Sequence, residues 1–443
     1  MNTTENSTEK TKFSRKEFLN ITGRSLAVAA GTVALSPLMS TNVYGQGREK
    51  AISPPAKIPE DVEKPIVLEE WKSDADQKAA PTPTPLPPDR RLGYAVVGLG
   101  HLSLEEILPA LSNCKKSKLA ALVSGNLDKM KKVAAQFGVK EADCYTYQNF
   151  DEIKNNKEVD IIYIVLPNGL HKEYVIRSAE AGKHVLCEKP MANSSAECRE
   201  MIAACKNANV KLMIAYRIHY QPHNRKLREL LQNKEFGSAK YVEAHNSQSS
   251  ANVDHWRHKK ELAGGGALPD IGLYCLNTTR FILDQEPVEV FAYQYSTPGN
   301  PLFKEVEELV SWQMRFPTGV IAGCATDYDV HESRRYRVNC ERGWIDIDQA
   351  YAYSGQRLKT SRADGIMKRS EEIMLAENNQ FAAEMDHFSD CIINDKKPYT
   401  PGEEGLQDHI IMEAIYKSAK EGKPIKINGL AHTNNWRGPE PKL

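Results

Sequence analysis

Two glycines one residue apart, Gly98 and Gly100 with Leu99 between them, follow the apolar run Tyr94-Ala95-Val96-Val97, and Glu105-Glu106-Ile107-Leu108 then opens an amphipathic pattern. Strand, glycine turn and helix in that order are the context of a dinucleotide fingerprint. The first glycine permits the tight turn. The second lets the backbone approach a pyrophosphate held by the unpaired N–H groups of a helix N-terminus. Ser103 stands where the third glycine of G-x-G-x-x-G belongs, so the motif is incomplete, and a glycine turn after any strand reads similarly.

Three later loops carry groups of matching chemistry. The run Leu119–Val123 ends in Ser124-Gly125-Asn126, with Lys129 close behind. A hydroxyl and an ammonium suit a ribose 2′-phosphate, which a carboxylate would repel, so NADP is favoured over NAD. The run Ile161 to Leu166 breaks at Pro167-Asn168-Gly169-Leu170-His171. Asn168 and His171 are placed to face the cofactor, and Asn168 alternatively caps the next helix. The run His184–Cys187 ends in Glu188-Lys189-Pro190, which projects an ammonium from a strand end into a ligand crevice, or forms an ordinary surface Lys-Glu pair.

The elements that must hold these loops alternate in period. Strands at Tyr94–Val97, Leu119–Val123, near Tyr145, Val159–Leu166, His184–Cys187 and Lys211–Ala215 are separated by helices at Leu127–Phe137, from Asp151, Leu170–Ala181 and Ser194–Ala208. Six strands with helical crossovers make a Rossmann dinucleotide-binding domain, and right-handed crossovers bring the strands' C-terminal ends to one edge. Strand-like runs at Lys240–His245, Val288–Tyr295, Glu308–Phe316, Val320–Asp327, Arg335–Cys340 and Trp344–Ile347 then suggest an open, mostly antiparallel sheet, with a helix from Asn378 packing back on the first domain. The expected class is α/β followed by α+β.

At 443 residues the chain exceeds one ordinary core. Basic and acidic residues balance at 58 each, so the charge does not suggest nucleic acid or an acidic membrane surface as partner. Nine cysteines without a Cys-x-x-Cys pair argue against a zinc ribbon or an iron–sulfur cluster, and no metal site is expected. Residues 1–46 read as an export signal: a basic start precedes the apolar run Ser25 to Met39, too short for a stable membrane span. Residues 47–90 hold nine prolines, which exclude a helix or central strand; this is a solvated linker or, as the apolar Ile66, Val67, Leu68 and Trp71 favour, an arm docked on another surface. The boundaries expected beyond it are 91–220 for the dinucleotide domain and 221–430 for a substrate-binding and oligomerisation domain.

Gly98-x-Gly100, Pro167-Asn168-x-x-His171 and Glu188-Lys189-Pro190, in this order, resemble the Gfo/Idh/MocA oxidoreductase family. The block from Glu261 through Pro269-Asp270-Ile271-Gly272-Leu273-Tyr274 is the most specific part of the likeness. Most of the family carries histidine four residues after that aspartate; Tyr274 there points to the glucose-fructose oxidoreductase branch. Ser14-Arg15-Lys16-Glu17-Phe18-Leu19 is similar to a twin-arginine signal with lysine as the second basic residue, which implies a periplasmic protein.

The resemblance implies an NADP-dependent oxidation of an aldose at C1 to a lactone, with the hydride passed to a second sugar such as fructose. Tyr274 would be acid/base, Lys189 the cation that favours its phenolate, and Asp270 the substrate orienter. Arg217 would contact cofactor or sugar, and His101, Tyr147, Trp256, Arg257 and Tyr353 would be further cofactor contacts, His101 replacing a lysine near the 2′-phosphate. A homodimer or homotetramer built on the second sheet is implied too. Three alternatives stay open: an aldose dehydrogenase that releases its cofactor, an NAD-dependent glycosidase of the same fold, and a non-catalytic binding or assembly protein.

Overall fold

The computed structural model describes residues 90–250, 252–431 and 436–441. The expected export signal and, but for Arg90, the proline-rich arm lie outside the described residues. Six parallel strands, β1 (Leu92–Val97), β2 (Ser117–Val123), β3 (Cys144–Tyr145), β4 (Ile161–Ile164), β5 (His184–Glu188) and β6 (Leu212–Ala215), lie in the order β3-β2-β1-β4-β5-β6. Tyr94–Val97 and Ile161–Ile164 have no exposed surface, as central strands covered by helices on both faces require. The order reverses between β1 and β4, and a crevice opens there at the strands' C-terminal ends.

Local chemistry sets the crossovers. The segment after β1 is a π-helical turn, Ser103–Ile107, running into α1 (Leu108–Leu111). Ser103 is buried and its hydroxyl donates to the Gly98 carbonyl over 2.5 Å, so a small polar residue closes the turn where a third glycine was expected. The Asn126 side chain caps α2 (Leu127–Phe137), which Gly138 ends at φ 72°. α3 spans Asn168–Glu180, and α4 (Ser195–Asn207) is capped by Ser194. The helix expected from Asp151 is instead a 3₁₀ segment, Phe150–Asn155, which buries Phe150 and Ile153 at the three-residue spacing of such a turn.

The second sheet has nine strands in the order β14-β13-β12-β11-β7-β10-β9-β8-β15. They are β7 (Ala239–Ser247), β8 (Glu289–Tyr295), β9 (Leu309–Arg315), β10 (Ile321–Asp327), β11 (Ser333–Cys340), β12 (Gly343–Asp348), β13 (Arg357–Asp364), β14 (Met367–Ile373) and β15 (Ile425–Lys426). All neighbours run antiparallel except β7 and β10. The β13–β14 hairpin was not foreseen, because β14 is exposed along almost its whole length and carries charge instead of alternation; Asp364-Gly365 was its one turn signal.

Four further helices, α5 (Pro222–Gln232), α6 (Leu273–Leu283), α7 (Gln380–Ile393) and α8 (Gly402–Glu421), join the layers. As expected, α7 returns to the first sheet: the Met385 carbonyl accepts from Tyr94 over 2.8 Å, and Asp386 accepts from the backbone N–H groups of Lys115 and Lys116 at 2.7 and 2.8 Å. Under α6 and α8 lies a buried ion network. Arg280, with no exposed surface, donates to Glu286 at 2.6 and 2.8 Å, to Glu404 at 2.8 Å and to Asp408; Arg437 donates to Glu404 at 2.8 and 3.1 Å. Among the described residues no helix is long and apolar enough to cross a membrane.

Buried ions are tolerable only when paired, so Arg280→Met, which takes the cation from Glu286 and leaves Glu404 and Asp408 with fewer partners, should destabilise the protein by about 3–5 kcal/mol. Equilibrium urea unfolding of the variant checks this.

Candidate functional site

A cleft of about 520 Å³ lies at the crevice, floored by loops of the first sheet and walled by the second domain. At its base Gly98 has φ +97°, and a Cβ there would stand 2.2 Å from the Val165 carbonyl oxygen. Gly100 differs: among the described residues a Cβ there would meet nothing within 4 Å. Leu99 is buried, and its carbonyl accepts from Lys129 Nζ over 3.1 Å. Ser124, buried at the end of β2, accepts from the Asn126 N–H over 3.2 Å. A left-handed glycine, an open second glycine and a hydroxyl–ammonium pair without an acidic residue at the end of β2 form a cradle that fits a phosphorylated dinucleotide. His101 lines the mouth, with its side chain 93% exposed and paired to Glu105 over 2.8 Å.

The next loops divide. Leu166, Pro167 and Asn168 line the cleft, but Asn168 does not cap α3. Its amide donates to the Ala263 carbonyl over 2.8 Å, tying the loop to the second domain. His171 corrects the sequence expectation. It has no exposed surface and does not line the cleft; its ring nitrogens face the carbonyls of Pro190 at 2.9 Å and Leu166 at 2.8 Å. Burial lowers its pKa, the two carbonyls partly opposing that, and the ring sits between the two loops behind the cleft. Tyr147 lines the cleft too, edge-on to Tyr174 at 5.6 Å.

Lys189 follows β5 through a cis bond to Pro190. Its Nζ donates to the Asp270 carbonyl over 2.9 Å and to Asp270 Oδ1 over 3.3 Å, and lies 4.6 Å from the centre of the Tyr274 ring. Burial works against the ammonium, but Tyr274, Asp270 and Glu188 more than offset it and hold its pKa above the usual lysine value. Asp270 occupies a π-helical turn, Leu268–Gly272, that leads into α6 and presents Tyr274 four residues on. Burial opposes its charge too. Arg257 Nε at 2.7 Å, Lys189 and the Tyr328 hydroxyl at 2.5 Å outweigh that and keep the carboxyl far below the ordinary range. The sequence reading missed Tyr328, since a tyrosine at a strand end carries no signal of such a contact.

Glu188, nearly buried, accepts from the Tyr163 hydroxyl at 2.9 Å and the Lys189 N–H at 3.1 Å. Arg257 was expected as a cofactor contact. It lines the cleft, yet its guanidinium is held by Asp270 and lies 4.5 Å from the Trp256 ring centre. Arg217 also lines the cleft, but its Nη donors are engaged by the carbonyls of Tyr351 at 2.6 Å and Ala352 at 3.3 Å and by Gln380 Oε1 at 2.8 Å. Its Nε–H is buried without a partner among the described residues, and the group lies 4.5 Å from the Tyr353 ring centre and 4.9 Å from that of Tyr274. Asn246, Gln248, Arg334 and Tyr351 also line the cleft and were not foreseen, because nothing in their local sequence sets them apart. The arrangement can hold a charged carboxylate, an ammonium and a phenol around one reacting group.

Residues 92–216 match the model of the oxidoreductase family with an NAD-binding Rossmann fold, and residues 228–427 match that family's C-terminal alpha/beta domain. The chain is 30% identical over 346 residues to an NADP(+)-dependent D-xylose 1-dehydrogenase of Haloarcula marismortui, covering 77% of this chain and 94% of that protein. It is 24% identical to 1,5-anhydro-D-fructose reductase of Ensifer adhaerens, over 75% of this chain and 98% of that one. Among solved structures, the aldose-aldose oxidoreductase from Caulobacter crescentus, complexed with glycerol, aligns with a TM-score of 0.74 and 42% identity, covering 76% of this chain and 100% of that chain.

The two glycines should separate in test. Gly100→Ala has room, so its melting temperature should match the wild type while dinucleotide affinity falls at least about tenfold, or ~1.4 kcal/mol. Gly98→Ala should lose stability as well, through the left-handed backbone and the Val165 contact. Thermal melts and fluorescence titration with NADPH distinguish them.

Proposed function

The chain belongs to the Gfo/Idh/MocA oxidoreductase family, and on that premise we propose that it is an NADP-dependent sugar oxidoreductase that oxidises an aldose at C1 to its lactone and passes the hydride to a second sugar such as fructose. The carrying observation is Lys189, which bridges Asp270 and the Tyr274 ring from a different domain. The Gly98–Gly100 turn, Ser124 and Lys129 would hold NADP, with Leu166, Pro167, Asn168 and Tyr147 along its length; bound, it supplies a nicotinamide that accepts hydride from C1. Tyr274 takes the C1 hydroxyl proton. The Lys189 ammonium lies 4.6 Å from the centre of its ring. Asp270, kept ionised, orients Lys189 and accepts a sugar hydroxyl. In the reverse half-reaction Tyr274 returns the proton to the second sugar.

The likeness to an aldose-aldose oxidoreductase and to an NADP(+)-dependent xylose dehydrogenase supports sugar chemistry with NADP. A dehydrogenase that releases NADPH each turn is favoured by the exposure of His101 at the mouth. Tyr274, and the absence of a carboxylate directly after Val123, weigh against the glycosidase reading. The assembly we propose is a homodimer or homotetramer paired through the outer face of the second sheet, where Tyr241, Tyr293, Tyr295 and Ile321 are exposed. Residues 1–46 would deliver the enzyme to the periplasm, and residues 47–90 would form its arm.

Protein purified without added cofactor should show NADPH absorbance after glucose and lose it after fructose. Turnover only with added NADP would replace the paired reaction with the dehydrogenase; sugar release from a glycoside without net redox would replace both. Tyr274→Phe should bind NADPH normally and lose about 10²–10⁴-fold in hydride transfer. Near-normal rates in stopped-flow reduction would overturn the assignment of Tyr274.

A further inference from the structure

The helical segment that carries Asp270 and Tyr274 has no cap of its own. Ala267, at the N-cap of the turn Leu268–Gly272, makes no side-chain bond to the turn's first N–H groups. Glu307, two residues before β9 and 7% exposed, meets them instead. It accepts from three successive N–H groups: Gly266 at its Oε2 over 2.8 Å, Ala267 at its carbonyl oxygen over 3.4 Å and Leu268 at its Oε1 over 3.1 Å. The Tyr416 hydroxyl, from α8, donates to the same Oε1 over 2.8 Å. Gly266 permits the approach, since a Cβ there would stand 1.8 Å from the Glu307 carbonyl oxygen. A carboxylate at a helix N-terminus satisfies orphan donors and complements the helix dipole. Glu307 itself does not line the cleft.

We propose that Glu307 is a positioning residue for hydride transfer, which fixes where this segment starts and so how Asp270 and Tyr274 stand against Lys189. This rests on the roles given above to Asp270 and Tyr274. Asp270 lies two residues past Leu268, and Tyr274 four residues further on, while Lys189 comes from the first domain. The fit between them is close: Lys189 Nζ meets the Asp270 carbonyl at 2.9 Å and Oδ1 at 3.3 Å. A misplacement of about 1 Å at a reacting centre costs on the order of 100-fold in rate. Glu308, the next residue, supplies the contrast. It is equally buried, but its carboxylate accepts from the Thr297 N–H over 2.7 Å and the Thr297 hydroxyl over 3.1 Å, and so pins the loop after β8, which does not line the cleft.

The test is single-turnover reduction of NADP by glucose or xylose, whichever reduces the wild type faster, read beside melting temperature and NADPH affinity. Glu307→Ala should slow hydride transfer about 10–100-fold at saturating sugar, with NADPH affinity near wild type because the cradle lies in the first domain. Glu307→Gln, which keeps one acceptor, should recover part of the rate, and Tyr416→Phe should lose less than either. Glu308→Ala should lower the melting temperature and leave the rate near wild type. If Glu307→Ala does not fold, Glu307→Gln and Tyr416→Phe against Glu308→Ala decide. Unslowed Glu307 variants, or Glu307 and Glu308 variants slowed alike, overturn the inference. Tyr274→Phe run alongside separates the two levels: if it is inactive while the Glu307 variants are normal, only the positioning role is lost. Near-normal rates in it, or no reduction by either sugar in the wild type, remove the proposed function and this inference together.

Discussion

One buried contact ties the molecule's chemistry to its architecture: Lys189, at the end of a strand of the first sheet, against Asp270, on a turn of the second domain. Taking two ions out of water is costly, and the pair is sustained because each ion has more than one partner. Asp270 also accepts from Arg257 and Tyr328, and Lys189 also reaches the Asp270 carbonyl and the Tyr274 ring. The Lys189, Asp270 and Tyr274 cluster forms where the first sheet's loops meet the second domain, which is why its members lie far apart in the chain.

The framework that carries Lys189 was legible from periodicity. Parallel strands buried on both faces leave near-continuous apolar runs, and Asn126, Ser194 and Gly138 mark helix ends in ways that need no tertiary context. Residues reporting through local geometry were legible too: Gly98 by its turn and Lys189 by its place after a strand. The role of His171 was not, because a histidine three residues past an asparagine looks alike whether it faces a ligand or two backbone carbonyls. Only the path of the Leu166 and Pro190 loops decides between these.

A second kind of illegibility belongs to partners distant in sequence. Arg257 and Arg217 look like ligand clamps by type, yet each is held by protein acceptors, a carboxylate in one case and two carbonyls with an amide in the other. Ser103 is the reverse case. Its departure from the glycine motif weakened the reading, while in the fold its hydroxyl replaces what the glycine would have supplied by smallness, closing the turn with a hydrogen bond to Gly98.

The return of α7 bears on how the chain could be cut and recombined. This helix, from the far end of the sequence, receives the N–H groups of Lys115 and Lys116 and the hydroxyl of Tyr94, and its first residue holds Arg217. The dinucleotide-binding half is thus discontinuous in sequence. A chimaera that grafts residues 91–220 onto a foreign partner without residues 380–393 would transplant a nucleotide cradle stripped of one flank; the natural cassette for exchange is the two segments together.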